Sequence, residues 1–593
     1  MHCFNIDDYH SIHEWRRPNS TSLSSATHMA TCISKKIENV LAVPANYNNI
    51  PLFNPKNIEA STIIYRLIND YKGHFDLSYN YIKKEWIQNE MINENDFDQL
   101  ELLSVHLYDA NIEERKEERS MKTVRILDIK EQNLRSLEDY LSAIKMITDI
   151  KSLVEYIKSH PIPVIADFPG QLFIRKIITL YLKNRQNNIQ QIDLDCILNF
   201  IPILGPLHVS LNSRENVVLL HHDFFKKLYC NVFEKTKFPE KPKPWKINYI
   251  LQFARDGWLE ISNMVVEKFG KTKDTEYRMM IDLLDNIIPA TLDIYAVLFR
   301  SGAFEQYLET IFRIWTFFLR WNRKNYKKLP LVFLSDYFYW KNNNHPFAKL
   351  LENSLVNFND YFVENVHSRI RAQTHRFSSA ESIIQETFII DSHKNESLTN
   401  AFSKSKRYPY TPAALNYLKK KTSCFLIEYF SLIYRNLNKS QPVFNKKKLI
   451  KYKLCTLDKI VDIKLLPAGY HTAHPPKKDK CDYCDNKFDP NLPECDGEVL
   501  ICGHSYHYDC LETLEKCCGH CTRFYEDGIV DNVASFLKTL EKDDLNILEN
   551  NNENDRNCED DNDDDQESIE NININEEVIN RLLTNAKNEI KNW

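Results

Sequence analysis

Residues 161–170, PIPVIADFPG, combine a short apolar run with an acidic residue and turn-forming Pro and Gly. This pattern is typical of a buried strand that ends in a turn at Asp167. Upstream, KTVRILDI at 122–129 alternates like a second strand, whereas residues 136–159 and 171–185 have helical spacing. Strands that alternate with helices predict an α/β layer.

Two further stretches extend this layer. LELLSVHLYDA at 100–110 predicts a strand that ends at Asp109, and ILNFIPILGPLHVSLN at 197–212 predicts a strand followed by a loop. Long stretches with helical spacing fill residues 216–345. The expected fold class is therefore an α-rich α/β body over residues 96–410 that carries a helical insertion.

Composition assigns the rest of the chain. Turn residues predict an irregular segment at 1–60, and acidic and Asn-rich composition predicts no stable structure at 541–575. The other expected segments are a helical lead-in at 61–95, a basic helical connector at 411–475, a zinc module at 476–525 and a short amphipathic helix at 576–593 with Val578, Leu582, Ala586 and Ile590 on one face.

The whole chain of 593 residues is long enough for several domains. No apolar run reaches the ~18 residues needed to span a bilayer, and the start MHCFNIDDYH lacks the features of a signal peptide. We expect a soluble intracellular protein, nuclear or cytoplasmic, with no membrane partner. Residues 541–570 carry a net charge of −12, so the first 540 residues carry +6, which is compatible with nucleic-acid contact.

Eight of the 15 cysteines lie between Cys481 and Cys521. Such clustering, without an export signal, favours metal binding over a disulfide framework. Zn²⁺ takes four N or S ligands in a tetrahedron, and Cys-x2-Cys lets two thiolates reach one ion. Eight residues with this chemistry fall into four close pairs, which predicts two zinc sites: Cys481 and Cys484, Cys502 and His504, His507 and Cys510, and Cys518 and Cys521.

The order and spacing of these residues resemble a RING-type zinc finger with two histidines. The resemblance implies interleaved pairs: Cys481, Cys484, His507 and Cys510 on one zinc ion, and Cys502, His504, Cys518 and Cys521 on the other. Cys517 is an alternative to Cys518, although the Cys-x2-Cys spacing favours Cys518. The further candidates Cys495 and His520 are left over.

RING-type ligases bind a ubiquitin-conjugating enzyme in an apolar groove and hold its thioester in a reactive pose. The resemblance implies that Tyr483 and Leu514 line this groove and that Arg523 contacts ubiquitin. Leu514 stands where Trp is common, Gly519 replaces the usual Pro, and Arg523 lies one position late. The alternative is a zinc-stabilised docking surface for a protein partner.

A second, looser resemblance covers about 110–375. ADFPGQ, FIPILGPLHVSLN and VENVHSRIRA resemble the RNase H-like domain of transposon-derived transposases that carry a helical insertion. This resemblance implies that Asp109, Asp167 and Glu364 hold two Mg²⁺ ions, since carboxylate oxygens suit this cation.

Simpler explanations exist for the same residues. Asp at strand ends often forms turns, and Glu364 can pair with Arg369 or His367 on its own helix. His208, in GPLH, fits a hydrogen-bonded loop histidine.

Two hypotheses follow for the whole chain. In the first, it is a RING-type zinc protein, a ubiquitin ligase or docking scaffold, whose partners are a ubiquitin-conjugating enzyme and a protein substrate recruited by the helical body. In the second, it is a transposon-derived nucleic-acid-binding protein with an active or degenerate Mg²⁺ site, and the zinc module serves assembly.

Overall fold

The computed structural model describes residues 1–13, 25–54, 56–75, 115, 117–186, 195–374, 378–392, 411–444, 450–489, 496–541 and 575–593. Two expectations lie outside these residues: the strand at 100–110 with Asp109, and Cys495. Within the described part of the chain, no helix combines the length and the apolar character that a membrane crossing requires.

The described residues form a five-stranded sheet and three smaller ones. The strands are β1 His2–His13, β2 Ser25–Lys36, β3 Asn46–Tyr47, β4 Ile50–Pro51, β5 Val124–Glu131, β6 Ile162–Ala166, β7 Phe200–Leu204, β8 Gln441–Phe444, β9 Ile450–Leu454, β10 Lys459–Asp462, β11 Gly497–Val499 and β12 Ser505–His507.

Helices make up most of the remaining described structure. They are α1 Ala60–Arg66, α2 Leu137–Thr148, α3 Lys151–Ile157, α4 Phe168–Gln186, α5 Pro206–Leu220, α6 His222–Val232, α7 Pro244–Phe269, α8 Thr275–Ile281, α9 Ile294–Ser301, α10 Phe304–Arg320, α11 Leu329–Asn342, α12 Pro346–Ser354, α13 Tyr361–Gln373, α14 Ala380–Ser392, α15 Pro412–Arg435, α16 Tyr508–Thr513, α17 Gly519–Glu541 and α18 Glu576–Ile590. Asp282–Asp293 is a π-helical segment that contains Pro289.

The main sheet has the strand order β5-β2-β1-β6-β7. β1 pairs antiparallel with β2 along its whole length, and parallel with β6, with Phe4 opposite Val164 and Asn5 opposite Ile165. The expectation that residues 1–60 are irregular is therefore wrong: their two long strands form the centre of the sheet. The predicted strands at 122–129 and 161–170 correspond to β5 and β6.

Helices cover both faces of this sheet. On one face Phe4 and Ile6 pack with Tyr140 and Ile144 of α2 and with residues of α4. On the other face Tyr9 packs with residues of α13. Because successive side chains of a strand point to opposite faces, odd-numbered residues of β1 face α13 and even-numbered ones face α2.

A large helical region separates β7 from α13. It contains the predicted stretch at 216–345, and its apolar side chains form the largest buried cluster. The region begins earlier than expected, because residues 206–212 form the first turns of α5 rather than a loop. Pro206 occupies the first helical turn, where its missing N–H costs no hydrogen bond.

The C-terminal third differs from the sequence prediction in two ways. The expected helical connector at 411–475 contains α15 but continues into the antiparallel sheet β8-β9-β10. The final helix α18 packs on the body through Ile579, Leu583 and Ile590, while Val578 is 39% exposed. Of the face predicted from sequence, Ile590 is buried, whereas Leu582 is 50% exposed.

Candidate metal centres

The parallel pair β1–β6 sets two acidic residues side by side. Continuing the register of Phe4 with Val164 by a few residues places Asp7 level with Asp167, the residue that follows β6. Asp167 also begins α4, where its Oδ1 accepts a hydrogen bond from the Gly170 N–H at 3.1 Å. A strand end and a helix start thus fix the Asp167 carboxylate.

Glu364 lies in the first turn of α13, the helix that covers the Asp7 face. Backbone tethers set the position of this helix: the Asn5 side chain donates to the Asn359 carbonyl at 2.8 Å, and Asn359 Oδ1 accepts from the Tyr361 N–H at 3.0 Å. The donor or acceptor atoms of Asp7, His208 and Glu364 all lie within 4.8 Å of one another. These three residues and Asp167 are called the carboxylate site below.

His208 enters this site from the first turn of α5 and is held by Asp360. Its Nδ1 lies 2.8 Å from Asp360 Oδ2, and its Nε2 lies 3.7 Å from Glu364 Oε1. Asp360 also accepts hydrogen bonds from the backbone N–H groups of Leu207 at 2.8 Å and His208 at 3.1 Å. One buried carboxylate therefore caps α5 and aims the imidazole at the carboxylate site.

The close approach of Asp360 requires a glycine at position 205. A Cβ atom on Gly205 would lie 2.1 Å from Asp360 Oδ2 and 3.1 Å from the Ala166 carbonyl oxygen. Any side chain here would push Asp360 away from α5, and His208 would lose its hydrogen-bond partner.

The carboxylate site concentrates negative charge in a half-buried place. Burial raises the pKa of Asp7 well above its ordinary value, and the charges of Glu364 and Asp167 raise it further, against the opposing effect of His208. Burial alone would lower the pKa of His208, but the hydrogen bond and charge of Asp360, with Asp7 and Glu364, raise it well above its ordinary value. The imidazolium thus partly offsets carboxylates that repel one another.

His367, one turn beyond Glu364, lies beside the same site, with its Nδ1 4.0 Å from Asp7 Oδ2. Burial and the nearby positive charges, Arg371 first, hold its pKa well below the ordinary value, so the ring is neutral.

In the structure Asp167 and Glu364 both lie near Asp7, and the acidic residue beside Asp167 is therefore Asp7. Asp109 was expected to end the partner strand, and it lies outside the described residues. The strand beside β6 is β1, which the sequence interpretation assigned to an irregular segment. The available signal was the acidic pair in FNIDDYH, at the end of a run with strand-forming residues.

Two cysteine–histidine clusters lie at the other end of the chain. Each contains three cysteines and one histidine whose ligand atoms lie within 4.8 Å of one another: Cys481, Cys484, His507 and Cys510 in the first, and Cys502, His504, Cys518 and Cys521 in the second. These are the same two sets that the RING-type pairing implies. In both clusters the histidine presents Nδ1, which lies 3.3 Å from Cys484 Sγ and 3.2 Å from Cys518 Sγ respectively.

The clusters have the dimensions of a zinc site. Tetrahedral bonds of about 2.3 Å to sulfur and about 2.1 Å to nitrogen put these atoms about 3.6 Å apart. The distances from His504 Nδ1 to the sulfurs of Cys502 and Cys521 are 3.6 and 3.7 Å. Its Nε2 lies 2.8 Å from the His474 carbonyl oxygen, which fixes the tautomer that leaves Nδ1 available. The donor set can therefore hold Zn²⁺.

The thiols of each cluster affect one another. Backbone N–H groups at Cys484, His507 and Tyr483 outweigh burial and lower the pKa of Cys481 to about 7. Burial is likewise outweighed at Cys518, whose pKa is lowered by Cys502, Cys521 and His504. A thiolate is therefore favoured in each cluster before any cation is considered.

The leftover candidates lie beside the clusters rather than in them. Cys517 points its sulfur at the Glu515 carbonyl oxygen at 3.3 Å, and Cys518 occupies the cluster position. His520 Nε2 lies 2.9 Å from the Asp482 carbonyl oxygen. Tyr506, between the two histidines of the clusters, is 1% exposed, and its hydroxyl lies 3.0 Å from Cys518 Sγ.

The module that contains these clusters packs on the helical body. Lys273 of the body pairs with buried Asp482 at 3.1 Å and donates to the Lys480 carbonyl at 3.0 Å. Along α17, Tyr525 packs edge-on against Trp315 with ring centroids 6.0 Å apart. The module is thus continuous with the core of the body.

The three expected partner-binding residues differ in accessibility. Tyr483 is 54% exposed, and Arg523 is also exposed. Leu514 is half-buried and packs against the core, and the adjacent Glu515 pairs with Lys72 at 3.0 Å. The expected groove is therefore open at Tyr483 and partly covered at Leu514.

Comparison of the chain with protein-family models, curated proteins and solved structures gave no match. The function is therefore argued from the geometry of these centres.

Proposed function

We propose that the chain is a metal-dependent phosphoryl-transfer protein acting on nucleic acid, of the RNase H-like kind related to transposases, with Asp7, Asp167 and Glu364 as its metal ligands. The observation that carries the proposal is the cluster of Asp7, His208 and Glu364, whose ligand atoms lie within 4.8 Å of one another, with Asp167 near enough for its charge to act on Asp7. The carboxylates come from the middle of β1, the residue after β6 and a helix that follows the helical insertion; the resemblance implied Asp109 where the proposal has Asp7.

The donor set suits a hard divalent cation. Carboxylate oxygens are the protein ligands that Mg²⁺ prefers, and the repulsion that raises the pKa of Asp7 would be relieved by a cation. When bound, Mg²⁺ or Mn²⁺ supplies charge neutralisation for the phosphate and activation of the attacking water. Carboxylate ligands suit Mn²⁺ as well as Mg²⁺, so we expect either cation to support activity.

The chain's own residues position these ligands. Asp360 holds His208 through Nδ1, so that Nε2 faces Glu364. The hydrogen bond from Gly170 fixes one oxygen of Asp167. Preorganised groups of this kind lower the cost of reaching the reactive geometry.

The test is cleavage of labelled single-stranded, duplex and hairpin DNA by the full chain with Mg²⁺ or Mn²⁺. We expect Asp7→Asn, Asp167→Asn and Glu364→Gln each to abolish cleavage. The matched control Asp128→Asn, on the edge strand β5, should keep it. Cleavage that survives Asp7→Asn and is lost in Asp109→Asn would contradict the assignment of Asp7.

For the C-terminal module we propose two bound Zn²⁺ ions, with the clusters acting as an assembly and bracing unit of the body. The buried pair of Lys273 with Asp482 and the packing of Tyr525 on Trp315 support this role, since both join the module to the helical core.

Ubiquitin-ligase activity is the second candidate, and the exposed side chain of Tyr483 supports it. A ligase would ubiquitinate itself with a panel of conjugating enzymes, and Tyr483→Ala or Leu514→Ala would stop the reaction. Absence of product across the panel would leave assembly as the function of the module.

A further inference from the structure

The residue after Asp7 belongs to a different cluster on the opposite face of the sheet. Asp8 and His10 alternate with Asp7 and Tyr9 along β1 and therefore point away from α13. His10 pairs directly with His28 across the antiparallel strands β1 and β2. The backbone register alone thus assembles one carboxylate and two imidazoles, which are called the histidine–aspartate cluster.

The donor atoms of this cluster face one another. Asp8 Oδ2 lies 3.0 Å from His28 Nδ1 and 3.5 Å from His10 Nε2, and the two imidazole rings meet edge to face with centroids 4.3 Å apart. All three donor atoms lie within 4.8 Å of one another. The side chains are 16 to 21% exposed, so an ion from solution can reach them.

We propose that Asp8, His10 and His28 bind one zinc-type divalent cation, separate from the carboxylate site and from the cysteine clusters. Two imidazoles and a carboxylate form a donor set that Zn²⁺ takes with three protein ligands, leaving the fourth position for water. Mg²⁺ is a poor match, because it prefers oxygen ligands.

Such a cation would tie β1 to β2 directly behind Asp7. The two strands are already paired along their backbones, so the ligands are preorganised and little side-chain freedom is lost on binding.

Arg135 is the group that opposes the cation. Its Nη2 lies 3.2 Å from His28 Nε2, so it donates to that nitrogen while Nδ1–H faces Asp8. A cation on Nδ1 requires the proton to sit on Nε2, and the exposed Arg135 side chain must then turn away. Removing the guanidinium should therefore tighten binding, a result that a purely hydrogen-bonded cluster would not give.

The experiment uses the full chain, dialysed against Zn²⁺ in excess Mg²⁺, with bound zinc measured by plasma mass spectrometry. We expect three ions per chain, two in the cysteine clusters and one here. His28→Gln and His10→Gln should each retain one ion fewer. His222→Gln, a surface histidine of α6, serves as the matched control and should match the parent chain.

Two further measurements identify the ligands. Arg135→Gln should raise the zinc affinity of the third site several-fold in competition with a chromophoric chelator. With Co²⁺ in place of zinc, His28→Gln should lose ligand-field absorption but none of the thiolate charge-transfer band. Circular dichroism and thermal melting in Mg²⁺ alone check that each variant folds.

Equal zinc content in His28→Gln and the parent chain would overturn the proposal. So would loss of the third ion in Asp7→Asn but not in His28→Gln, because that ion would then belong to the carboxylate site. Neither readout involves nucleic-acid cleavage, so failure here is distinguishable from failure of the proposed function.

Discussion

The cysteine clusters and the carboxylate site both bring like-charged ligands together, but the protein builds them differently. All eight cysteine-cluster residues come from Cys481–Cys521, where β11, β12 and α16 are only three to six residues long. The carboxylate site draws on β1, the turn after β6, α5 and α13, each anchored in a large core. The first should therefore depend on its cation for order, and the second on the fold around it.

Disrupting one cysteine ligand tests the first half of this comparison and should have the largest effect. Structural zinc contributes about 10–16 kcal/mol of folding free energy in small zinc modules. We expect Cys484→Ser, or a zinc chelator, to remove hydrogen-exchange protection from residues 468–541 while β1 and β6 stay protected. Cys230→Ser, outside the clusters, is the control. Unchanged protection in Cys484→Ser would show that the module does not need zinc.

Gly205→Ala tests whether the fold holds the carboxylate site in place. The new Cβ would collide with Asp360, and overpacking of this kind costs about 1–3 kcal/mol. We expect a lower urea midpoint and loss of cleavage. Gly73→Ala is the control, because its Cβ would have 3.8 Å to the nearest heavy atom. Equal stability of the two variants would show that Asp360 can move without cost.

Asp360→Asn separates positioning from ligation. The amide keeps the shape but loses the charge that raises the pKa of His208. We expect the His208 pKa to fall in an NMR titration and cleavage to drop about 10–100-fold, as for other groups that orient a metal ligand. A variant with an unchanged His208 titration would contradict the role given to Asp360.

Acid should weaken the junction between the module and the body by a smaller amount. Burial, followed by the charge of Arg320, lowers the pKa values of His221 and His471 to about 3. The unfolded chain takes up these protons near pH 6.5 and the folded chain does not, so stability is full above pH 6.5 and falls as pH drops toward 3.

When the pH falls from 6.5 to 5.5, each of these two histidines should lower the free energy of unfolding by about 1 kcal/mol. Urea unfolding of the parent chain and of His471→Gln at both pH values measures this loss of stability. An equal loss of stability in parent and variant would contradict this assignment.

The same contrast explains which features the sequence revealed. Cysteine and histidine are uncommon residue types, so four close pairs and two candidate sites could be predicted from Cys481–Cys521 alone, while the interleaved grouping followed from the resemblance to a RING-type finger. Asp7 was missed because β1 is a central strand covered on both faces, which removes the usual alternation of apolar and polar residues. Its partners, Asp167 and Glu364, are distant in sequence, and only the pairing of β1 with β6 and the packing of α13 on β1 bring them together.

Two smaller errors have local causes. Within the expected helical connector, β9 contains the exposed residues Lys451 and Lys453, so the sequence there was interpreted as a basic run rather than as a strand. His208 was placed in a loop, although Gly205 and Pro206 are a typical start for a helix.

Binding of Mn²⁺ to the zinc-loaded chain tests the central claim most directly. Mn²⁺ prefers oxygen ligands over thiolates, so electron paramagnetic resonance of the free ion reports the carboxylate site without interference from the cysteine clusters. We expect the parent chain and Asp109→Asn to bind Mn²⁺ equally, and Asp7→Asn to lose that binding. Undiminished binding in Asp7→Asn would contradict the assignment of Asp7, Asp167 and Glu364 as one metal site.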